Sequence, residues 1–68
     1  MKSQIKFGKN IRNARKSLNL TQSEVAEKAG VNSNYYARIE RGEVNPSMDM
    51  LEAILKVLKL KSSDVLPF

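Results

Sequence analysis

The stretch that most constrains this chain runs from Leu20 to Gly42, LTQSEVAEKAGVNSNYYARIERG, where two short helical segments flank Gly30. Neither segment is long enough to stand alone. Isolated helices shorter than about 12–15 residues are marginal in water, so each must be held by an apolar face packed on the rest of the chain. The first segment opens on a capping box: Thr21 and Glu24 stand three residues apart, so each side chain can satisfy a free backbone amide of the other. Leu20 precedes the cap and can pack as a staple against Val25, while Val25, Ala26 and Ala29 form one inward face. Ala26 and Ala29 allow a close helix approach, and Gly30 permits the sharp reversal that a β-carbon would hinder. Asn32 can cap the next segment, in which Tyr36 and Ile39 face inward with Val31 and which stops at Gly42.

The flanking sequence supplies the packing partners. Phe7, Ile11, Ala14 and Leu18, preceded by Ile5, form one stripe of a helix over about residues 4–18. Asn19 tolerates the left-handed conformation and is a suitable stop. After a loop at residues 43–46, Ser47 caps a fourth helix predicted to run to about Lys59. Its stripe is Met50 or Leu51 with Ile54, Leu55 and Leu58, widened by Val57, and Leu60 closes on the core. Asp49 and Glu52 lie near its positive end and Lys56 and Lys59 near its negative end, the favourable order. Ser62 can cap a last turn through Leu66 before Pro67. The expectation is a single all-α domain over residues 1–68, a compact five-helix bundle with its paired short helices at about residues 21–42. No strand pattern, repeat, linker or low-complexity tract interrupts it.

Composition removes several classes of function. The chain has no cysteine and no histidine, so the usual nucleophiles, general bases and zinc ligands are missing. No metal, no cofactor and no enzymatic activity are expected. The lack of cysteine fits a reducing cytosol, and no run approaches the roughly 20 apolar residues that span a membrane. No signal-peptide core is seen at the N-terminus. The net charge of +5 is unevenly placed: Lys2, Lys6, Lys9, Arg12, Arg15 and Lys16 precede any acid, whereas residues 21–55 are net acidic. A basic first helix beside a mixed centre suggests one edge that faces a polyanion, with plain solubility as the simpler explanation.

Two helices joined by a short glycine-containing turn form a DNA-reading unit when the second is exposed on one side, although helical hairpins also occur without that role. The first turn of the second helix would meet the groove, making Asn32, Ser33, Asn34 and Tyr35 candidates for base contact. Asn can pair with adenine through both ends of its amide, and Ser can donate or accept at several base edges. Tyr35 offers a ring to a thymine methyl or a hydroxyl to a phosphate. Arg38, one turn on, can reach a guanine edge or a phosphate. Gln22 at the start of the preceding helix, and Arg41 and Asn45 at the far end, are candidates for phosphate contact.

These motifs together resemble the Cro/C1-type helix–turn–helix family of bacterial and phage regulators, a lambda-repressor-like fold. The likeness covers about residues 5–66 and rests on Arg15 before the L-T-Q turn, Gln22, Ala26, Gly30, I-E-R-G at residues 39–42, and Asn45-Pro46-Ser47. It implies that Gln22 touches phosphate and supports base readout, that Ser33, Asn34 and Arg38 face the groove, and that Arg15 and Glu40 form an internal bridge. It also implies a dimer bound to an inverted repeat in double-stranded DNA. Two positions depart from the pattern. Ala37 stands where many members carry Ser or Thr. Tyr36 replaces a smaller aliphatic residue, so it either enlarges the core or brings its hydroxyl to the rim.

A cytoplasmic homodimer is therefore expected, with Leu60, Val65, Leu66 and Phe68 as candidates for the dimer surface and capping of the chain's own core as their alternative. No small-molecule effector is expected. Phage repressor, restriction–modification controller, antitoxin-like autoregulator and excised domain of a larger regulator all fit. The rival reading is a protein-interaction module on the same fold.

Overall fold

The computed structural model describes residues 2–60, with side chains from residue 4 onward. The described residues form four helices: α1 Lys2–Ser17, α2 Gln22–Ala29, α3 Ser33–Glu40 and α4 Met48–Val57. The domain is all-helical, as its periodicity indicated. The fifth helix expected at Ser62–Leu66 lies outside the described residues, as do Val65, Leu66 and Phe68 of the expected dimer surface.

The starts of α2, α3 and α4 are each fixed by a side chain read from the sequence. Thr21 and Glu24 make the reciprocal capping box, with Thr21 Oγ1 accepting from the Glu24 amide at 3.0 Å and Glu24 Oε1 from the Thr21 amide at 2.8 Å. Asn32 caps α3, and Ser47 caps α4 by accepting from the Met50 amide. The four ends share one construction. A residue in the left-handed region follows each helix (Asn19, Gly30, Gly42 and Lys59). The next amide then bonds the carbonyl five residues back: Leu20 to Arg15, Val31 to Ala26, Glu43 to Arg38 and Leu60 to Leu55. This closure stops α4 at Val57, two residues before the predicted Lys59.

The core is built from Phe7 and Ile11 of α1, Val25 and Ala26 of α2, Tyr36 and Ile39 of α3, and Ile54, Leu55 and Leu58 at α4. Leu18 does not join it. It was expected to complete the α1 stripe, but the helix has ended at Ser17, and Leu18 is 39% exposed while Leu20 turns in to pack on the core. Ala29 and Val31 are half-buried against the core rather than within it.

The approach of α1 to α3 depends on Gly8. A methyl group there would lie 2.7 Å from the Ile39 carbonyl oxygen and closer still to that of Glu40. The end of α3 is thus set directly on the backbone of α1.

Candidate nucleic-acid interface

The far end of α3 is anchored by a buried charge. Glu40 is 7% exposed and receives three hydrogen bonds. Arg15 of α1 donates Nε–H to Oε2 at 2.7 Å and Nη2–H to Oε1 at 3.3 Å. Gln22 at the start of α2 donates its amide to Oε1 at 3.0 Å. Arg15 also donates to the Leu20 carbonyl at 2.8 Å, so one guanidinium ties α1, the turn into α2 and the end of α3 together. Burial alone would raise the Glu40 carboxyl; the bond from Arg15, the adjacent Tyr36 hydroxyl, the bond from Gln22 and the charge of Arg15 outweigh it and hold it below the usual carboxylate range. Arg15 is raised in turn, chiefly by its hydrogen bond to Glu40.

Tyr36 lies against this network. It is wholly buried, so of the two alternatives open from sequence it enlarges the core. Its hydroxyl has no hydrogen-bond partner of sound geometry. Burial, and then the neighbouring Glu40 carboxylate, pushes the phenol far above its ordinary value.

The near end of α3 is open. Asn32 Oδ1 accepts from the amides of Asn34 at 2.8 Å and Tyr35 at 3.2 Å. That use competes with two-ended adenine recognition, which needs the oxygen as well as the nitrogen, and leaves Asn32 its Nδ2 donors. Ser33 and Asn34 are exposed, and their side chains carry no intramolecular bond among the described residues. Tyr35 is half-buried and donates its hydroxyl to the Asn45 carbonyl at 3.3 Å, tying the first turn of α3 to the loop before α4. Its hydroxyl hydrogen is therefore engaged, and its ring is what remains for a base.

Arg38 and Arg41 are exposed, and both reach Glu43. Arg38 donates Nε–H to Oε1 at 3.3 Å. Arg41 donates Nε–H to Oε2 at 2.6 Å and Nη2–H to Oε1 at 3.5 Å. The Arg41 hydrogen bond holds the Glu43 carboxyl below its usual value although the side chain is exposed. Asn45 is exposed.

An open cleft between α1, the start of α2 and the end of α3 is lined by Arg12, Arg15, Gln22, Glu40 and Arg41. It brings together two residues expected to touch phosphate, Gln22 and Arg41, and adds Arg12, which the sequence left among five undifferentiated cations. Gln22 keeps one amide hydrogen and its oxygen beyond the bond to Glu40. Sequence reasoning missed four links: Gln22 to Glu40, Glu43 between two arginines, Tyr35 to Asn45, and Arg15 to the Leu20 carbonyl. Only the second carried a sequence signal, because a residue directly after a helix-ending glycine lies over the last turn.

Residues 11–66 match the helix-turn-helix family. Control protein C.BamHI of Bacillus amyloliquefaciens is 36% identical over 63 residues, which are 91% of this chain and 78% of that protein. The chain belongs to the helix-turn-helix family. Its helix-turn-helix unit is α2 and α3 with the turn at Gly30. The immunity repressor protein of Bacillus phage phi105 is 41% identical over 58 residues, covering 85% of this chain and 40% of the repressor. The chain spans 40–50% of the length of the repressor and of several other curated relatives it matches. Among solved structures, the restriction-modification controller protein C.AhdI from Aeromonas hydrophila superposes with a TM-score of 0.92 over 97% of this chain and 100% of its own. At 24% identity that likeness speaks for the fold alone.

Proposed function

We propose that this chain reads sequence in double-stranded DNA and regulates transcription, as a repressor or an autoregulatory controller rather than as an enzyme. The observation that carries the reading is the contrast between the two ends of α3. Its far end is locked by the buried Arg15–Glu40–Gln22 network, while its first turn presents Ser33 and Asn34 with their polar groups unused. A rigid helix with an open first turn is suited to entering the major groove.

In this reading Ser33, Asn34 and Arg38 contact base edges, joined by Nδ2 of Asn32 and the ring of Tyr35. Gln22 gives its remaining amide hydrogen to a phosphate alongside the free N–H groups at the start of α2. Arg12 and Asn45 take neighbouring phosphates, and Arg41 takes one in the complex with the selected site. The names of the two relatives, a control protein and an immunity repressor, support a regulatory role.

One such helix reads only a few base pairs. Two copies related by a two-fold axis would read an inverted repeat with half-sites about 34–36 Å apart, or a multiple of that. Leu60, half-buried against its own core, is left with part of its surface for a partner, and Val65, Leu66 and Phe68 are the further candidates. A cytoplasmic protein, associated with the nucleoid when bound, is consistent with the lack of any described helix long and apolar enough to cross a membrane.

The test is selection of bound sites from a random duplex pool, followed by binding of the Ser33→Ala/Asn34→Ala variant to the selected site. The proposal expects a two-fold symmetric site for the unmodified chain. The variant should keep its helical circular dichroism and lose most of its preference over scrambled DNA. A variant that discriminates as well as the unmodified chain would refute the assignment.

A further inference from the structure

Three of the four helix ends close with an apolar residue: Leu20, Val31 and Leu60 make the bond to the carbonyl five residues back and pack on the core. The end of α3 departs from this, because the residue in that place is Glu43. Its amide bonds the Arg38 carbonyl at 2.9 Å, which sets Glu43 over Arg38, where a hydrophobic contact commonly accompanies this closure. An ion pair occupies the spot instead. One carboxylate accepts Arg38 Nε–H at 3.3 Å and Arg41 Nε–H at 2.6 Å.

Stability does not account for an acid here. The pairs are exposed on both sides, and exposed ion pairs contribute little. An acid beside a helix C-terminus also faces the negative end of the helix dipole. For a surface that meets phosphates, the charge opposes binding. What the acid does is hold two cations. It takes Arg38 by the Nε edge and leaves the two terminal nitrogens of that guanidinium without a partner among the described residues. It takes Arg41 through both Nε and Nη2.

We propose that Glu43 is a specificity-determining residue for DNA: it positions Arg38 so that the paired terminal nitrogens meet a guanine edge, and it withholds Arg41 from unselective capture of phosphate. This rests on the DNA-reading function proposed above. Guanine recognition uses two parallel donors to O6 and N7, and a guanidinium fixed by its third nitrogen presents that pair without further ordering. Non-specific affinity comes from phosphate neutralisation, and a carboxylate already bound to Arg41 competes with it. Both effects widen the gap between the right site and the rest of the duplex.

The experiment measures affinity for the selected site, for single-base variants of it and for a scrambled duplex of equal length, by fluorescence anisotropy across a salt series. The full chain is compared with Glu43→Gln, Arg38→Ala and the double variant. Glu43→Gln should bind the scrambled duplex more tightly, with a log–log salt slope steeper by about 0.9, the value for one further phosphate neutralised. Its ratio of specific to non-specific affinity should fall roughly 5–10-fold, concentrated at one G·C pair, a fraction of what a good bidentate contact confers. In the Arg38→Ala background the same change should no longer alter discrimination at that pair. Equal strengthening of every duplex reduces Glu43 to one surface charge and overturns the proposal, as does no change at all. If the unmodified chain prefers no duplex over another, the DNA-reading function fails, and this inference with it.

Discussion

Replacing Glu40 by Gln tests the anchor that holds α3. The substitution keeps shape and volume but exchanges one carboxylate oxygen for an NH₂ group, and both oxygens are in use. With the new NH₂ at Oε1 it faces donors from Arg15 and Gln22; at Oε2 it faces Arg15 Nε from 2.7 Å. Either orientation sets donor against donor and leaves the Arg15 charge, 11% exposed, without its counter-ion. Breaking one side of a buried pair costs about 3–5 kcal/mol, and the partial exposure of Arg15 favours the lower figure. A domain of this length has roughly 3–10 kcal/mol in total, so the expected loss of about 3 kcal/mol brings it close to unfolding at 37 °C. Urea or thermal denaturation followed by circular dichroism measures this directly. The paired replacement Arg15→Met/Glu40→Leu removes both charges and should cost less than Glu40→Gln alone. A Glu40→Gln variant within about 0.5 kcal/mol of the unmodified chain, or a double variant that loses the sum of its singles, would refute the reasoning.

Other outcomes follow from the same geometry. Because the folded-state carboxyl of Glu40 is depressed, its contribution is present above the unfolded value near 4.5 and is lost as pH falls through the folded value. Denaturation midpoints should therefore drop on acidification below about pH 4.5 and drop less in Glu40→Gln; parallel pH profiles for the two would contradict this. Gly8→Ala should cost at least about 1–3 kcal/mol, because its methyl meets backbone carbonyls of α3 rather than a side chain that could move, and an unchanged melting temperature would contradict the close approach. Tyr36→Phe removes a buried hydroxyl that has no hydrogen-bond partner of sound geometry but lies beside the Glu40 carboxylate, so stability should change by no more than about 1 kcal/mol in either direction; a loss above about 2 kcal/mol would mean that the hydroxyl is satisfied in solution.

The elements of the fold were legible because their signals are local. Thr21 with Glu24, Asn32 and Ser47 mark helix starts by side-chain chemistry that acts over three residues, and all three caps form as read. Ends were less legible. Lys59 adopts a left-handed conformation that glycine or asparagine would have announced, so α4 was read two residues too long. Leu18 fitted the period of α1 but follows its last residue, Ser17, just before Asn19 turns the chain, and periodicity cannot weigh a stop against a stripe. For the candidate site, the sequence offered a set of residues and not the hydrogen bonds that join them. Gln22 and Glu40 lie 18 positions apart on different helices, and nothing in either segment announces their hydrogen bond. The same holds for Tyr35 and Asn45, whose link runs through a backbone carbonyl. Gly8 is a further case: only the packed structure reveals that the backbone of α3 lies where its β-carbon would be.

The central claim is that the exposed face of α3, from its open first turn to Arg38, meets bases. An NMR titration of the isotopically labelled chain with its selected duplex tests this most directly. The largest shifts should fall on the amides of residues 32–38, on the side-chain NH₂ groups of Asn34 and Gln22, and on Arg38 Nε–H, with Glu52–Leu58 of α4 nearly still. Shifts concentrated on α4, with the first turn of α3 unmoved, would contradict it.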